Sequence, residues 1–412
     1  MRESLVYLLI VLCMAGIALG RLPFLRMNRA SIALVSAALL IAFGAIGLEQ
    51  AAAAIDLGTI VLLLAMMLVV ANLRISGFFT AAGARILSAA RGPRQLLALV
   101  VFASGFLSAL FLNDTICLML TPLVAELALR SRRDPLPYLL GLATSANVGS
   151  CATIVGNPQN MLIGASSRIP FGVFLVRLGP PSLIGLLVCW AAVVIAFPAE
   201  FRRGRALLPA PASAGTIDRR LMVKSLAAAL IMLVLLLLKI PPALAALIAS
   251  ATLLVTRRIA PERVFAEVDF TLLVFFASLF VVTAAIGATP IFKSTLEKAT
   301  PLLERGGAWS LASLSGFTVL SSNLVSNVPT VMLLRPLVEG LRDRETAWLL
   351  LAMASTYAGN LTLLGSVANL IVAEGARLHG TRVSFAAYLR VGIPVTLVTT
   401  LIGGAWLLYA RF

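Results

Sequence analysis

Apolar runs separated by short polar or basic segments recur from one end of this 412-residue chain to the other. A helix needs about 20 apolar residues to cross roughly 30 Å of hydrocarbon. On that criterion full crossings are expected near 4–20, 31–48, 56–73, 136–167, 180–197, 222–238, 242–256, 269–286, 347–374 and 391–410. Two further apolar stretches, 95–129 and 309–341, are interrupted midway by Asn113-Asp114 and by Ser326-Asn327-Val328-Pro329. Lipid-facing helix does not tolerate such interruptions, so both stretches are read as re-entrant hairpins. Inside 136–167 the run from Ser145 to Asn160, and inside 347–374 the run from Ser355 to Ser366, hold enough polar residues and breakers to unwind.

The pattern repeats. Ile55-Asp56 ahead of one apolar span parallels Val268-Asp269 ahead of another. Asn113, followed nine residues later by Pro122-Leu123-Val124, parallels Asn327, followed nine residues later by Pro336-Leu337-Val338. Thr153-Ile154-Val155-Gly156 with Asn160 beyond parallels Thr362-Leu363-Leu364-Gly365 with Asn369 beyond. The predicted fold is therefore an all-α polytopic membrane protein of two repeats, 1–198 and 221–412, joined by a linker at 199–220. Each repeat has five crossings, one of them the broken helix, and one hairpin; an odd number of crossings makes the second repeat inverted, an architecture of secondary transporters.

Composition agrees with the periodicity: 60% of residues are hydrophobic and 12% charged, and the mean hydropathy is +1.02. A water-soluble domain is excluded. The net charge of +16 changes the picture only through its placement, because the arginines sit in short clusters between apolar spans and form no nucleic-acid-binding stripe. Read as cytoplasmic loops, they place the linker 199–220 inside and both termini outside an inner (plasma) membrane. The first apolar run lacks a small-residue cleavage pattern and reads as a retained helix. Four cysteines without CxxC spacing and a single histidine, His379, support neither a disulfide framework nor a metal site, and no cofactor is expected. No GxxxxGK[ST] run is present, and no His, Cys or carboxylate cluster supports enzyme chemistry.

Chemistry is instead expected where helices end in the membrane. N-terminal amides favour anions and C-terminal carbonyls favour cations, so a hairpin tip or a break offers both without a fixed charge. Candidate substrate- and ion-binding residues are Asn113, Asp114, Thr115, Asn147, Gly149, Thr153, Gly156, Asn157 and Asn160 in the first repeat. In the second they are Ser326, Asn327, Thr330, Gly359, Asn360, Thr362, Gly365 and Asn369. Asp114 is the one carboxylate placed deep in the membrane, where it either binds Na⁺ or a proton or accepts hydrogen bonds from hairpin amides. Asp56 and Asp269 read as helix caps. Cys117 and Cys151 are either buried apolar residues or soft ligands, as for arsenite. His379 reads as a solvated loop residue. Arg335 reads as snorkelling to the interface, with a substrate-selective role as the alternative.

Asn113-Asp114-Thr115 with Leu120-Thr121-Pro122, Thr153 to Asn160, and Ser326-Asn327-Val328-Pro329-Thr330 resemble the signature of the ion transporter superfamily. Within it the chain is similar to the arsenite pump and anion permease branch, which includes citrate transporter-like proteins. The divalent anion:sodium symporters instead carry Ser-Asn-Thr tips, where this chain has Leu112-Asn113-Asp114 and Ser326-Asn327-Val328. The resemblance implies Na⁺ positions near Asn113, Asp114 and Gly156 and near Asn327 and Gly365, a scaffold, a moving transport domain and a homodimer in the lipid bilayer. The expected function is secondary active transport of a small anion or oxyacid, an organic carboxylate or inorganic anion, coupled to H⁺ or Na⁺ by elevator-like motion. Rival expectations are arsenite efflux by proton exchange (with a separate ATPase subunit only for a pump), Na⁺/H⁺ antiport, and an anion channel.

Overall fold

A computed structural model describes residues 2–19, 27–202, 217–255, 259–303 and 307–409. Residues 203–216, the body of the linker, lie outside the described residues. The described residues form helices and no strands. The first series is α1 (Arg2–Leu19), α2 (Arg29–Ala42), α3 (Leu48–Ala54), α4 (Leu57–Ile75), α5 (Phe78–Leu87), α6 (Pro93–Leu110), α7 (Asn113–Arg130), α8 (Leu136–Ser150), α9 (Pro158–Ser167), α10 (Phe171–Ala196) and α11 (Pro198–Arg202). The second is α12 (Arg219–Leu237), α13 (Pro242–Leu254), α14 (Pro261–Phe265), α15 (Phe270–Ala288), α16 (Pro290–Leu303), α17 (Gly307–Val325), α18 (Asn327–Gly340), α19 (Arg344–Ala358), α20 (Val367–Leu378) and α21 (Phe385–Tyr409).

Six of these, α4, α6, α10, α12, α15 and α21, are long and apolar enough to cross a membrane, and the shorter α2 and α13 are apolar too. Their outward residues, such as Val223, Leu230, Leu187 and Leu401, are large, apolar and exposed, as a lipid-facing surface requires. Two helix starts differ from the sequence expectation. The helix expected at 180–197 begins at Phe171, and the one expected at 391–410 begins at Phe385. In both cases proline lies inside the helix, at Pro180-Pro181 and at Pro394, where neighbouring helices tolerate it. The short helices α3, α5, α11, α14 and α16 escape a search for spanning runs because none spans.

Helix α2 packs on α15 and α13 on α4; α6 packs on α8 and α17 on α19; α10 packs on α21. At the centre, α8 is buried from Pro137 to Ser150 and α19 from Ala347 to Ala358. Gly149 sets the distance between α6 and α8: a Cβ there would fall 2.2 Å from the Gly105 carbonyl oxygen. With α8 and α19 buried on all sides, their polar side chains must find partners inside the protein.

Candidate functional site

Helix α8 ends at Ser150 and helix α9 begins at Pro158, with Asn157 capping it by accepting from Asn160 N at 2.9 Å. Proline at the first helical position and Asn before it are strong start signals. The intervening carbonyls leave the helical ladder, and Asn160 collects them: its Nδ2 donates to Thr153 O at 2.9 Å and Ser150 O at 3.2 Å. Between α19 and α20 the arrangement recurs. Asn369 Nδ2 donates to Gly359 O at 2.7 Å and Thr362 O at 3.2 Å.

Asn147, on α8, joins the two loops. Its Nδ2 donates to Asn360 Oδ1 at 2.9 Å and to Asn369 Oδ1 at 3.0 Å, while its Oδ1 accepts from Asn113 Nδ2 and Ser366 Oγ, both at 3.0 Å. Backbone carbonyls fix the orientation of every amide in this chain. Asn360 Nδ2 is committed to Thr144 O at 3.1 Å and Asn369 Nδ2 to Gly359 O, so both present oxygen to Asn147. Asn147 must therefore turn its NH₂ toward them and its oxygen toward Asn113. Asn113 answers with its NH₂, which leaves Asn113 Oδ1 buried and without a partner.

The junction between α6 and α7 is held further by Asn113 N donating to Gly156 O at 3.1 Å and by Thr153 Oγ1 donating to Ala109 O. The junction between α17 and α18 is held differently. Asn323 Nδ2 donates to Ala358 O at 3.0 Å, and Thr362 Oγ1 donates to Asn323 Oδ1 at 3.1 Å. Ser326 stands at φ 83°, ψ 159°, a region almost reserved for glycine. Asn327 Oδ1 and Thr330 Oγ1 are buried without partners.

Six helix N-termini meet at one cavity of about 450 Å³: those of α2, α7, α9, α15, α18 and α20. Each N-terminus carries roughly half a positive charge in unpaired amides. The charged side chains lining the cavity are Arg29, Asp114 and Asp269. Its volume is within the ~300–1,000 Å³ usual for small-molecule sites.

Of the residues singled out by sequence, Asn113, Asp114, Ser326, Asn327 and Gly365 line this cavity. Asn147, Asn157, Asn160, Asn360, Thr362 and Asn369 form the network behind it, and Gly156 and Gly359 contribute carbonyls to that network. Gly149 serves helix packing. Thr115 and Thr330 lie on the first turns of α7 and α18, outside the lining. Cys117 and Cys151 are buried away from the lining, and no His, Cys, Asp or Glu cluster among the described residues could hold a metal. Asp56 and Asp269 cap their helices by accepting from Thr59 N at 2.9 Å and Leu272 N at 3.0 Å. Arg335 is outside the lining and pairs with Glu339 at 2.9 Å and Asp56 at 3.9 Å. His379 Nδ1 lies 2.8 Å from the Gly375 carbonyl oxygen.

Sequence reasoning missed Gln159, Thr356, Ser366 and Asn323. Thr356 Oγ1 accepts from Asn157 Nδ2 at 3.2 Å and Gln159 Nε2 at 3.3 Å, and lies 3.4 Å from Asn160 Oδ1. The signal for it was its spacing ahead of Thr362 and Asn369, the same as that of Asn147 ahead of Thr153 and Asn160. Arg29 was hidden in a segment read only as a basic loop.

The profile of the citrate transporter (CitMHS) family matches residues 7–358. The chain belongs to the citrate transporter family. It is 33% identical over 450 residues to the silicon efflux transporter LSI3 of Oryza sativa subsp. japonica, covering 92% of each chain. It is 28% identical over 403 residues to the 46 kDa membrane protein of Mycobacterium leprae, covering 93% of this chain and 94% of that one. Among solved structures, the YdaH transporter of Alcanivorax borkumensis superposes with a TM-score of 0.57 at 14% identity, covering 98% and 97% of the two chains, which is a likeness of fold. This member of the citrate transporter family is thus a multi-pass integral membrane transporter.

Proposed function

We propose that this protein is a secondary active transporter of a small anion or oxyacid, coupled to H⁺ or Na⁺, in which two inverted repeats exchange access by an elevator-like motion. The convergence of six helix N-termini on one cavity carries the reading, since it builds a field for negative charge from backbone dipoles. The amide network supports the repeats. Asn147 reaches Ser366 and Asn369, Thr356 reaches Asn157 and Asn160, and one constant shift along the chain converts the first set into the second. The mouth of the cavity carries Arg29 and Asp269, on the face that the basic loops assign to the cytoplasm, so the conformation is read as inward-open. A scaffold-mediated homodimer belongs to the same proposal.

The test is uptake into proteoliposomes of citrate, sulfate, phosphate, arsenite and silicic acid under an imposed pH or Na⁺ gradient. The last two are included because arsenite and silicic acid are small oxyacids and the rice relative is a silicon efflux transporter. Uphill accumulation of one of them, driven by either gradient, is expected. Passive equilibration alone would mark a channel, and flux of Na⁺ against H⁺ with no solute would mark an antiporter; either result defeats the proposal.

A further inference from the structure

A second cavity, of about 680 Å³, lies where the end of α4 and the starts of α12 and α14 come together. Part of its lining is apolar: Leu221 and Ile259 are buried and Ile75 is half-buried. Around this stand three exposed arginines, Arg219 and Arg220 on α12 and Arg263 on α14. Asp218 N donates to Ser76 O at 3.2 Å, which pins the start of α12 to the end of α4.

The charges beside the cavity are already committed, and those of the three arginines are not. Asp218, the one carboxylate in the lining, caps α12 by accepting from Arg220 N at 3.1 Å and Leu221 N at 3.0 Å. Arg74 pairs with Glu267 at 2.8 Å, and Lys224 Nζ donates to Leu253 O at 3.2 Å and Val255 O at 2.7 Å. Among the described residues, Arg219, Arg220 and Arg263 form no ion pair and no side-chain hydrogen bond. Membrane topology asks only for positive charge on this face, which the basic loops assign to the cytoplasm; it does not ask that three unpaired guanidinium groups surround one space. Guanidinium forks match phosphate oxygens.

Helix α12 decides between a phosphate in solution and one carried by a lipid. Arg219, Val223, Leu226 and Leu230 follow at helical spacing on one side of it, and the last three are exposed apolar residues. With 19 residues, α12 is about 28 Å long, so Arg219 at its start stands at the edge of the hydrocarbon. An apolar track into the bilayer therefore begins at the rim of the basic cavity.

We propose that this cavity is the headgroup site of an anionic phospholipid from the leaflet on the linker side, its phosphate held by Arg219, Arg220 and Arg263 and its acyl chains laid along Val223, Leu226 and Leu230. The lipid would bridge α4 of the first helix series to α12 and α14 of the second, apart from the cavity at which the six helix N-termini meet.

The experiment is the thermal unfolding midpoint of the purified full chain in dodecyl maltoside, titrated with dioleoylphosphatidylglycerol, with dioleoylphosphatidylcholine or with glycerol phosphate. A saturable rise with phosphatidylglycerol, larger than with phosphatidylcholine, is expected. In the Arg219→Gln/Arg220→Gln/Arg263→Gln protein the half-saturating lipid concentration is expected to increase about tenfold or more, because each arginine near the surface contributes separately to the attraction. All three side chains are exposed, so the substitutions leave the fold intact. Arg382→Gln/Arg390→Gln removes exposed charge from another loop of the same predicted face and is expected to leave the titration unchanged. An equal rise with both lipids, or an unchanged titration in the triple variant, overturns the site. A rise with glycerol phosphate that equals that with the lipid and is lost in the triple variant assigns the cavity to a soluble phosphate and overturns the lipid.

Discussion

Replacing Asn147 by alanine removes four hydrogen bonds from a side chain that is 2% exposed, two given by its NH₂ and two received by its oxygen. At a net ~1 kcal/mol each they would sum to about 4 kcal/mol. Asn360 and Asn369 keep their carbonyl partners, and a water could fill part of the space, so about 3 kcal/mol is the expected loss. For a chain of 412 residues that corresponds to a fall of about 3 °C in unfolding midpoint, from an unfolding entropy of ~2 cal/mol/K per residue. Transport should fall further than stability, since Asn113, a residue of the cavity lining, loses the side-chain bond that fixes its amide. Asn147→Asp sharpens the test. It preserves volume and the acceptor for Asn113 and Ser366, yet turns an acceptor toward the two oxygens of Asn360 and Asn369. If the deduced amide orientations hold, Asp is tolerated no better than Ala in thermal unfolding and in proteoliposome uptake. An Asn147→Asp protein with the midpoint and uptake of the unsubstituted chain would refute the network.

Ser326→Gly relieves a backbone strain of about 1–3 kcal/mol against ~0.5–1 kcal/mol of extra chain entropy, so the midpoint should rise by about 1 °C while Ser326→Ala gives no rise. Gly392→Ala places a Cβ 2.2 Å from the Asn360 carbonyl oxygen and must push α21 off the second loop; a loss of about 1–3 kcal/mol in thermal unfolding, with impaired uptake, is expected. Glu200→Gln weakens the buried pair with Arg133, 3.0 Å long and joined by Tyr138 Oη at 2.8 Å, and should cost about 3 kcal/mol by the same measurement.

Much of the helix layout was legible because apolar length and breakers report directly on what a bilayer permits. Asn113, Asn327, Asn160 and Asn369 were visible as polar residues where polar residues are costly. Their partners were not. The run from Ser145 was expected to unwind, yet α8 stays helical to Ser150 because its polar side chains find partners inside the protein, and only tertiary packing brings Asn147 to Asn369 on α20. Asp269 read as a cap, which it is, but a cap at the mouth of a cavity is also a charge in that cavity. The starts of α10 and α21 lie earlier than expected, because each helix runs on through a segment holding arginine, Arg177 or Arg390, that an apolar-run criterion leaves out. Gly149 looked like a place for backbone to meet a ligand, and the backbone it meets is that of Gly105.

The two loops, between α8 and α9 and between α19 and α20, differ where their likeness would matter most. In the first, the residue at the hub position is Asn147, whose amide has two donors and an acceptor and so binds both the distant loop and Asn113 at the junction of α6 and α7. In the second it is Thr356, whose hydroxyl is occupied by Asn157, Gln159 and Asn160 and makes no bond to Asn327. The α6–α7 junction is consequently tied by backbone and side chain to Gly156 and Asn147, and the α17–α18 junction through Asn323 to Ala358 and Thr362, directly before a strained Ser326; each leaves one asparagine oxygen, of Asn113 or Asn327, without a partner. Displacing either junction breaks hydrogen bonds in a medium that offers no replacements, but displacing the second also releases the strain held at Ser326. The junction at Ser326-Asn327 is therefore the less costly of the two to displace, by up to the strain of about 1–3 kcal/mol that Ser326 holds.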